Sequence, residues 1–147
     1  MLNSILANFY EADLRKLIAE IRSFKDDENL WKTVGSIKNS AGNLALHIIG
    51  GTNYLFGTQL AKTGYVRNRD LEFTKKNVPK EELLAGLEAL IPLVTNVLNG
   101  LGDKGMEANY PIPFDDAERT NSYVLTRLLV HLGYHLGQVN YLRRTLE

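Results

Sequence analysis

The chain has 147 residues, close to the roughly 150 that make one average domain, and we predict a single domain over residues 1–147. Its 17 basic and 17 acidic side chains cancel, which argues against nucleic acid and anionic membranes as partners because both attract a positive excess. It has no cysteine, which excludes disulfides, thiolate metal sites, iron–sulfur clusters and cysteine nucleophiles, so a metal site must use histidine, carboxylate or water.

The N-terminal segment is typical of a helix rather than of an export signal. Residues 1–10 lack a basic region and a long apolar stretch, and Glu11 follows at once. No later stretch approaches the roughly 18 apolar residues that a membrane span requires. We therefore expect a cytoplasmic protein with no membrane contact.

The first predicted helix covers about residues 2–24. Its apolar residues recur at steps of three to five, near the helical period of about 3.6, with charged residues between them. They are Leu2, Leu6, Phe9, Leu14, Leu17, Ile21 and Phe24. A charged break at residues 25–29 separates this helix from a short apolar segment that ends at Gly35.

A second helix is predicted from Ser40 to about Leu60, followed by a long connection over residues 64–78. The helix carries almost no charge between Lys38 and Lys62, so we expect it to be buried on most sides. The connection mixes charged and aromatic residues without a sustained period. Long connections in small domains are often functional.

A third helix is predicted to begin after Pro79 and to end near Gly100 and Gly102. Proline suits the first turn of a helix, and glycine is a common helix stop. Pro92 lies within the apolar stripe of this helix and predicts a kink, because the proline ring clashes with the preceding turn.

A second long crossover, over residues 105–118, leads to the last helix. Pro111 and Pro113 exclude regular helix from this crossover. Thr120 or Asn121 can cap a helix whose apolar residues then recur almost to the end of the sequence. Four helices of about twenty residues, with no convincing strand, predict an all-α bundle.

Only three histidines are present, and all lie in the two least charged helices. His131 and His135 are four residues apart, so their rings share one helical face and can present nitrogen atoms to one ion. Gln138 falls on the same stripe, and His47 would have to face the pair from the second helix. Imidazole suits zinc and nickel, and three protein ligands leave a coordination position open for water or substrate. The pattern therefore indicates a divalent metal site.

The spacing alone leaves a second interpretation open, in which the histidines are hydrogen-bonded residues of the core. The glutamate of an HExxH motif, the general base of metalloproteases, is absent. No acidic residue stands beside the histidines in the sequence as an obvious second catalytic group.

Other residues are candidates for the surroundings of the site. Asn43, one turn before His47, can orient its imidazole, because metal-bound histidines usually donate their second N–H to a nearby acceptor. Tyr54, seven residues after His47, either lines the pocket or packs in the core. Four arginines either bind a carboxylate substrate or lie at the surface and pair with acidic residues: Arg67, Arg69, Arg143 and Arg144.

Two segments resemble the DinB-like (YfiT-like) family of metal-dependent enzymes: NLALHIIG at residues 43–50 and HLGYHLGQVNYLRR at residues 131–144. Residues 67–73 and 77–83 are similar to a branch of small proteins in that family. The resemblance covers most of the chain. It implies a four-helix bundle of up-down-down-up type with a long crossover.

The same resemblance implies a divalent ion, zinc or nickel, held by His47, His131 and His135, with Gln138 outside the ligand set. Relatives with known activities include thiol S-transferases and a thiol-dependent isomerase, in which the metal activates a low-molecular-weight thiol. The chain is therefore expected to be a metal-dependent hydrolase or thiol S-transferase that acts on a small molecule through an activated water or thiol. No catalytic residue is assigned, and a second copy of the chain is a candidate partner.

Two alternatives belong to other functional classes. In one, the three histidines hold a structural metal in a non-catalytic, stress-associated protein. In the other, the chain is a helical interaction module without a metal, and its glycine-rich stripes form the interface.

Overall fold

A computed structural model describes all 147 residues, which form helices and loops without a β-strand. A 3₁₀ turn at Asp27–Trp31 follows the first helix, and a π-helical segment at Asn53–Ala61 continues the second. The α-helices are α1 (Leu2–Ser23), α2 (Ala41–Thr52), α3 (Arg69–Thr74), α4 (Lys80–Glu107) and α5 (Asn121–Leu146). The prediction of an all-α chain is confirmed.

The starts of α2 and α5 are fixed by side-chain caps. The Ser40 hydroxyl accepts a hydrogen bond from the backbone N–H of Asn43, and the Thr120 hydroxyl accepts one from the N–H of Tyr123. Each bond satisfies a donor that the first helical turn leaves without a backbone partner. Thr120, rather than Asn121, is therefore the cap of the last helix.

The second helix changes its backbone pattern after Thr52, which the sequence did not predict. Residues Asn53–Ala61 are π-helical, and Lys62 ends the segment in a left-handed conformation with φ of 56°. At the junction the side-chain amide of Asn53 donates to the carbonyl of Ile49 (2.9 Å). Local bonds of this kind compete with the regular helical ladder. Single π-helical turns are rare and often lie at functional sites.

The predicted connection over residues 64–78 contains a short helix, α3. Its first turn is capped by Asn68, whose side-chain oxygen accepts a hydrogen bond from the N–H of Leu71 (3.3 Å). Six residues are too few to show a hydrophobic period, so the sequence does not predict this helix. Its one buried residue is the charged Glu72.

α4 runs five residues further than the predicted stop at Gly102. The stop is present in the backbone, because Gly102 has φ of 61° and ψ of −173°, but a further helical turn follows it up to Glu107. The crossover therefore begins at residue 108 rather than at Gly105. Gly102, and not Pro92, has the non-helical backbone conformation within α4.

α1 and α5 run in the same direction. In their first halves the Tyr10 hydroxyl donates to the carbonyl of Leu125 (2.5 Å), and near their ends Arg143 Nε donates to Glu20 Oε2 (2.8 Å). α4 runs opposite to α1, because Glu88 near its start pairs with Arg22 near the end of α1. α2 runs opposite to α5, because Leu44 borders one cavity with Leu142 whereas Thr52 borders the other with Arg127. Phe56, just beyond α2, packs edge-on against Tyr10, and the side-chain amide of Asn3 donates to the carbonyl of Leu98 (3.0 Å). A cluster of 26 buried apolar residues fills the space between the helices.

By length and composition, α4 could cross a membrane. The sequence expectation that no stretch approaches a membrane span is therefore wrong on those criteria. The core helix of a globular protein meets the same criteria, and the buried stripe of α4 packs mainly against α1. Its fully buried members are Leu87, Leu90, Val94 and Leu98.

Candidate metal centre

The fold brings the three histidines together. His47 lies on α2, and His131 and His135 lie one turn apart on α5. His131 Nε2 is 3.2 Å from His47 Nε2 and 2.9 Å from His135 Nε2. One ligating nitrogen atom from each ring lies within 4.8 Å of the other two, so the cluster could hold a metal ion.

Hydrogen bonds on the far side of two rings fix which nitrogen carries the proton. His47 Nδ1 is 3.0 Å from Glu72 Oε1, and His135 Nδ1 is 2.7 Å from Gln138 Oε1. A carboxylate and an amide oxygen only accept hydrogen bonds, so both Nδ1 atoms are assigned as donors. The Nε2 lone pairs of these two rings then point into the cluster. Gln138, expected beside the ligands, contacts His135.

The surroundings keep all three imidazoles neutral. Burial lowers the pKa of His131 to about 4, and nearby His135, His47, Arg127 and Arg67 contribute in the same direction. Burial also lowers the pKa of His47 and of His135, although hydrogen bonds to Glu72 and Gln138 oppose the shift. Neutral imidazole is the form that binds a metal, so these residues are ready to ligate near pH 7.

Two of the three separations between the nitrogen atoms are close to those around a single small cation. Tetrahedral zinc, about 2.0–2.1 Å from each nitrogen, sets neighbouring ligand atoms about 3.3 Å apart. Two of the separations here are 3.2 Å and 2.9 Å. Lone pairs that face one another at such distances repel unless a proton or a cation lies between them. The donor set of three imidazoles therefore fits zinc or nickel.

Glu72 is the residue of the site that the sequence analysis missed. Only 5% of Glu72 is exposed, and its carboxylate accepts hydrogen bonds from Arg67 Nε (2.8 Å) and Arg67 Nη2 (2.9 Å) as well as from His47. A Cβ atom at Gly50 would overlap this carboxylate, so the absence of a side chain there makes room for it. A histidine bonded to a buried carboxylate is the arrangement that orients ligands in many metal sites.

Asn43 does not orient His47, contrary to the expectation. Its side-chain amide donates to the backbone carbonyls of Glu72 (3.0 Å) and Lys75 (2.8 Å), and its oxygen accepts from Ser40 (2.7 Å). It therefore joins the start of α2 to α3. Glu72 takes the predicted role because α3 packs on α2 and brings a carboxylate to the ring.

The other candidates divide between the site and the rest of the molecule. Arg67 pairs with Glu72, whereas Arg143 pairs with Glu20 away from the histidines. Tyr54 is half-buried and does not line the cavity next to His47. Arg144 lies beside the ring of Tyr141, with 5.5 Å between the guanidinium carbon and the ring centroid.

Two cavities border the histidine cluster. His47 and His131 are part of the lining of one, of about 550 Å³, and His135 and Gln138 are part of the lining of the other, of about 780 Å³. Both lie in the size range of small-molecule sites, roughly 300–1,000 Å³. The charged residues that line the smaller cavity are Arg67, Arg69, Arg127 and Asp115.

The comparisons with known proteins identify a family. The profile of the family described as "Protein of unknown function (DUF1572)" matches residues 2–147. No curated protein and no solved structure matches the chain.

Proposed function

The chain belongs to the DUF1572 family, and we propose that it is a divalent-metal-binding protein that acts as a metal-dependent enzyme of the DinB-like (YfiT-like) type. The resemblance of residues 43–50 and 131–144 to that family supports this. So do the directions of the long helices, which agree with an up-down-down-up bundle of α1, α2, α4 and α5.

The proposed ligands are His47, His131 and His135, and the proposed ion is zinc or nickel. The observation that carries the proposal is the convergence of three Nε2 atoms, two of them on rings whose Nδ1 atoms are already hydrogen-bonded. Without an ion, the single proton on His131 Nε2 can satisfy only one of the two neighbouring Nε2 lone pairs at a time, whereas an ion binds all three lone pairs. The donor set contains no thiolate or carboxylate, which suits an ion of intermediate softness.

When bound, such an ion lowers the pKa of a water or a low-molecular-weight thiol toward neutrality and so supplies a nucleophile. Glu72 holds the His47 ring in position and keeps its Nδ1 protonated. Glu72 does not act as a general base, because three hydrogen bonds from Arg67 and His47 occupy its carboxylate. The proposed reaction is thus hydrolysis or thiol transfer on a small molecule, with activation by the ion rather than by a protein base.

An open site favours an enzyme over a structural metal protein. Structural zinc sites are usually closed by four protein ligands, whereas catalytic sites keep one position for water or substrate. Here three histidines form the cluster, and a cavity of ligand size reaches His47 and His131. A small molecule in that cavity can reach the ligand atoms.

The test is the metal content of purified protein without a polyhistidine tag, measured by mass spectrometry. We expect about one zinc or nickel ion per chain in the natural protein and none in His131→Ala, since three ligands are needed for tight binding. Thr126→Ala is the matched control, because Thr126 is exposed on the same helix. The proposal is overturned if the natural protein takes up neither metal after incubation at neutral pH.

Cobalt substitution separates the enzyme from the structural protein. In an open site, azide or a small thiol binds the cobalt ion and changes its visible absorption spectrum. In a closed site the spectrum stays unchanged, which would favour the non-catalytic alternative.

A further inference from the structure

The lining of the cavity at His47 and His131 includes a positively charged residue one helical turn from His131. Arg127 lines the cavity and lies four residues before His131 on α5, so both side chains share one helical face. Four residues correspond to a rise of about 6 Å along the helix axis. Arg127 and His131 therefore border the same cavity from neighbouring turns of α5.

Two of the three arginines at this cavity have no acidic partner. Arg67 forms an ion pair with Glu72, and the other arginine ion pairs of the molecule are formed by Arg15, Arg22 and Arg143. Arg69 and Arg127 are exposed and form no ion pair. Asp115 is the one acidic residue that lines the cavity. The lining thus has two guanidinium groups without an ion pair, one of which lies over the Phe73 ring (Arg69, 5.4 Å to the centroid), against one carboxylate.

The lining as a whole is mainly apolar. Of its 18 residues 10 are hydrophobic, including Leu14, Ile48, Leu55 and Leu132. An apolar pocket with a few charged groups binds a ligand by burying its apolar body and fixes its orientation through the charged end. Guanidinium groups match the planar oxygen pairs of carboxylates and phosphates.

We propose that this cavity binds an amphipathic organic anion, with its carboxylate or phosphate head at Arg127 and Arg69 and its apolar body against the lining leucines and Ile48. The role of that anion as substrate rests on the proposed function, but its binding does not. His131 lines the same cavity as Arg127 and Arg69, so a ligand bound there lies next to the proposed reaction centre.

The probes are octanoate, octyl phosphate and octylamine, titrated calorimetrically into the full chain in the presence of a chelator and again after zinc loading. We expect octanoate or octyl phosphate to bind in both conditions and octylamine to bind at least about tenfold more weakly, because it lacks the oxyanion. A preference between the first two probes identifies the head group.

Arg127→Gln and Arg69→Gln locate the binding. Both side chains are exposed, so neither substitution should unfold the protein. Each is expected to weaken octanoate binding by about tenfold, the loss of one charge-assisted hydrogen bond. Arg144→Gln is the control, because Arg144 is an exposed arginine of α5 outside the cavity, and it should bind octanoate as the natural protein does.

Four results overturn the proposal: no probe binds, octylamine binds as well as octanoate, the two cavity variants bind like the natural protein, or Arg144→Gln weakens binding equally. Metal content measured on the same samples keeps the two proposals apart. Metal uptake without anion binding overturns this inference alone, and anion binding without metal uptake overturns the proposed function alone.

Discussion

At the scale of single residues, the carboxylate of Glu72 fixes the orientation of the His47 ring in the histidine cluster. A buried carboxylate is unfavourable unless it is paired and hydrogen-bonded, and here Arg67 supplies the charge and two hydrogen bonds while His47 supplies a third. Glu72 therefore connects the Arg67 guanidinium, which lines the cavity, to the orientation of the His47 imidazole.

Glu72→Gln is expected to weaken zinc binding by about 10- to 100-fold, because a neutral amide, which can still accept from Nδ1, replaces the carboxylate that raises the basicity of the His47 imidazole. The measurement is competition with a chelator of known affinity. Asp70→Asn is the matched control, since Asp70 is an exposed acidic residue of the same short helix. Equal zinc affinities in the two variants would remove Glu72 from the site.

Gly50→Ala tests the position of the Glu72 carboxylate by filling the space that the carboxylate occupies. The added methyl group overlaps Glu72 and must displace it, so we expect weaker zinc binding together with a loss of about 1–3 kcal/mol in the free energy of unfolding. Gly100→Ala is the control, because a Cβ atom there meets nothing within 4 Å. The control should stabilise α4 by up to about 1 kcal/mol in urea unfolding. A Gly50→Ala protein as stable as the natural one would contradict the close packing.

The histidines could be predicted from the sequence, whereas Glu72 could not. His131 and His135 are one helical turn apart, so their proximity follows from helix geometry alone. The contact between His47 and Glu72 spans 25 residues and depends on how α3 packs on α2. Asn43 is a second contact that depends on tertiary packing. Its spacing suggested a hydrogen bond to His47, but its side-chain amide donates to two carbonyls of the α3 segment instead.

At the scale of elements, the ion pair between Glu20 and Arg143 joins α1 to α5. Burial alone would raise the pKa of Glu20, but hydrogen bonds from Arg143 and Asn140 outweigh it and lower the pKa below 4.5. A carboxyl whose pKa is lower in the folded state stabilises the protein above its unfolded pKa. That contribution is lost as the pH falls through the folded pKa.

Glu20→Gln should therefore lower the free energy of unfolding by about 1 kcal/mol at pH 7, with the difference shrinking as the pH falls below about 4.5. Urea unfolding at pH 7 and at acidic pH measures both quantities. Glu11→Gln is the control, because Glu11 pairs with Arg15 at the surface of α1 and such pairs contribute little. A pH-independent difference would mean that packing, not charge, explains the effect.

The long helices were predictable because each presents an apolar stripe over several turns. α3 and the π-helical segment were not, since their extent depends on contacts with other elements. The side-chain amide of Asn43 donates to the carbonyl of Lys75 at the end of α3. The side-chain amide of Asn53 donates to a backbone carbonyl of α2 and so competes with the helical hydrogen bonds there. Both irregular segments adjoin the helix that carries His47.

At the scale of the whole molecule, the histidine cluster joins parts of the chain that are far apart in sequence. His47 and His131 are separated by 84 residues, and α2 and α5 run in opposite directions. The directions of the helices came from a family resemblance rather than from periodicity, which does not specify how helices are arranged. An ion at the cluster would cross-link these two helices in the folded state only.

Metal should therefore stabilise the folded protein by mass action. At free zinc one hundred times its dissociation constant, the expected gain is about 2.7 kcal/mol, or roughly 5–10 °C in Tm for a chain of this size. A chelator should reverse the gain, and His131→Ala should show none because it lacks one of three ligands. Thr126→Ala, exposed on the same helix, should behave like the natural protein.

Thermal unfolding followed by circular dichroism, with zinc and with a chelator, measures the shift in Tm. Equal Tm values in the two conditions would mean that the cluster holds no metal in the folded state, whereas an equal gain in His131→Ala would mean that zinc binds elsewhere.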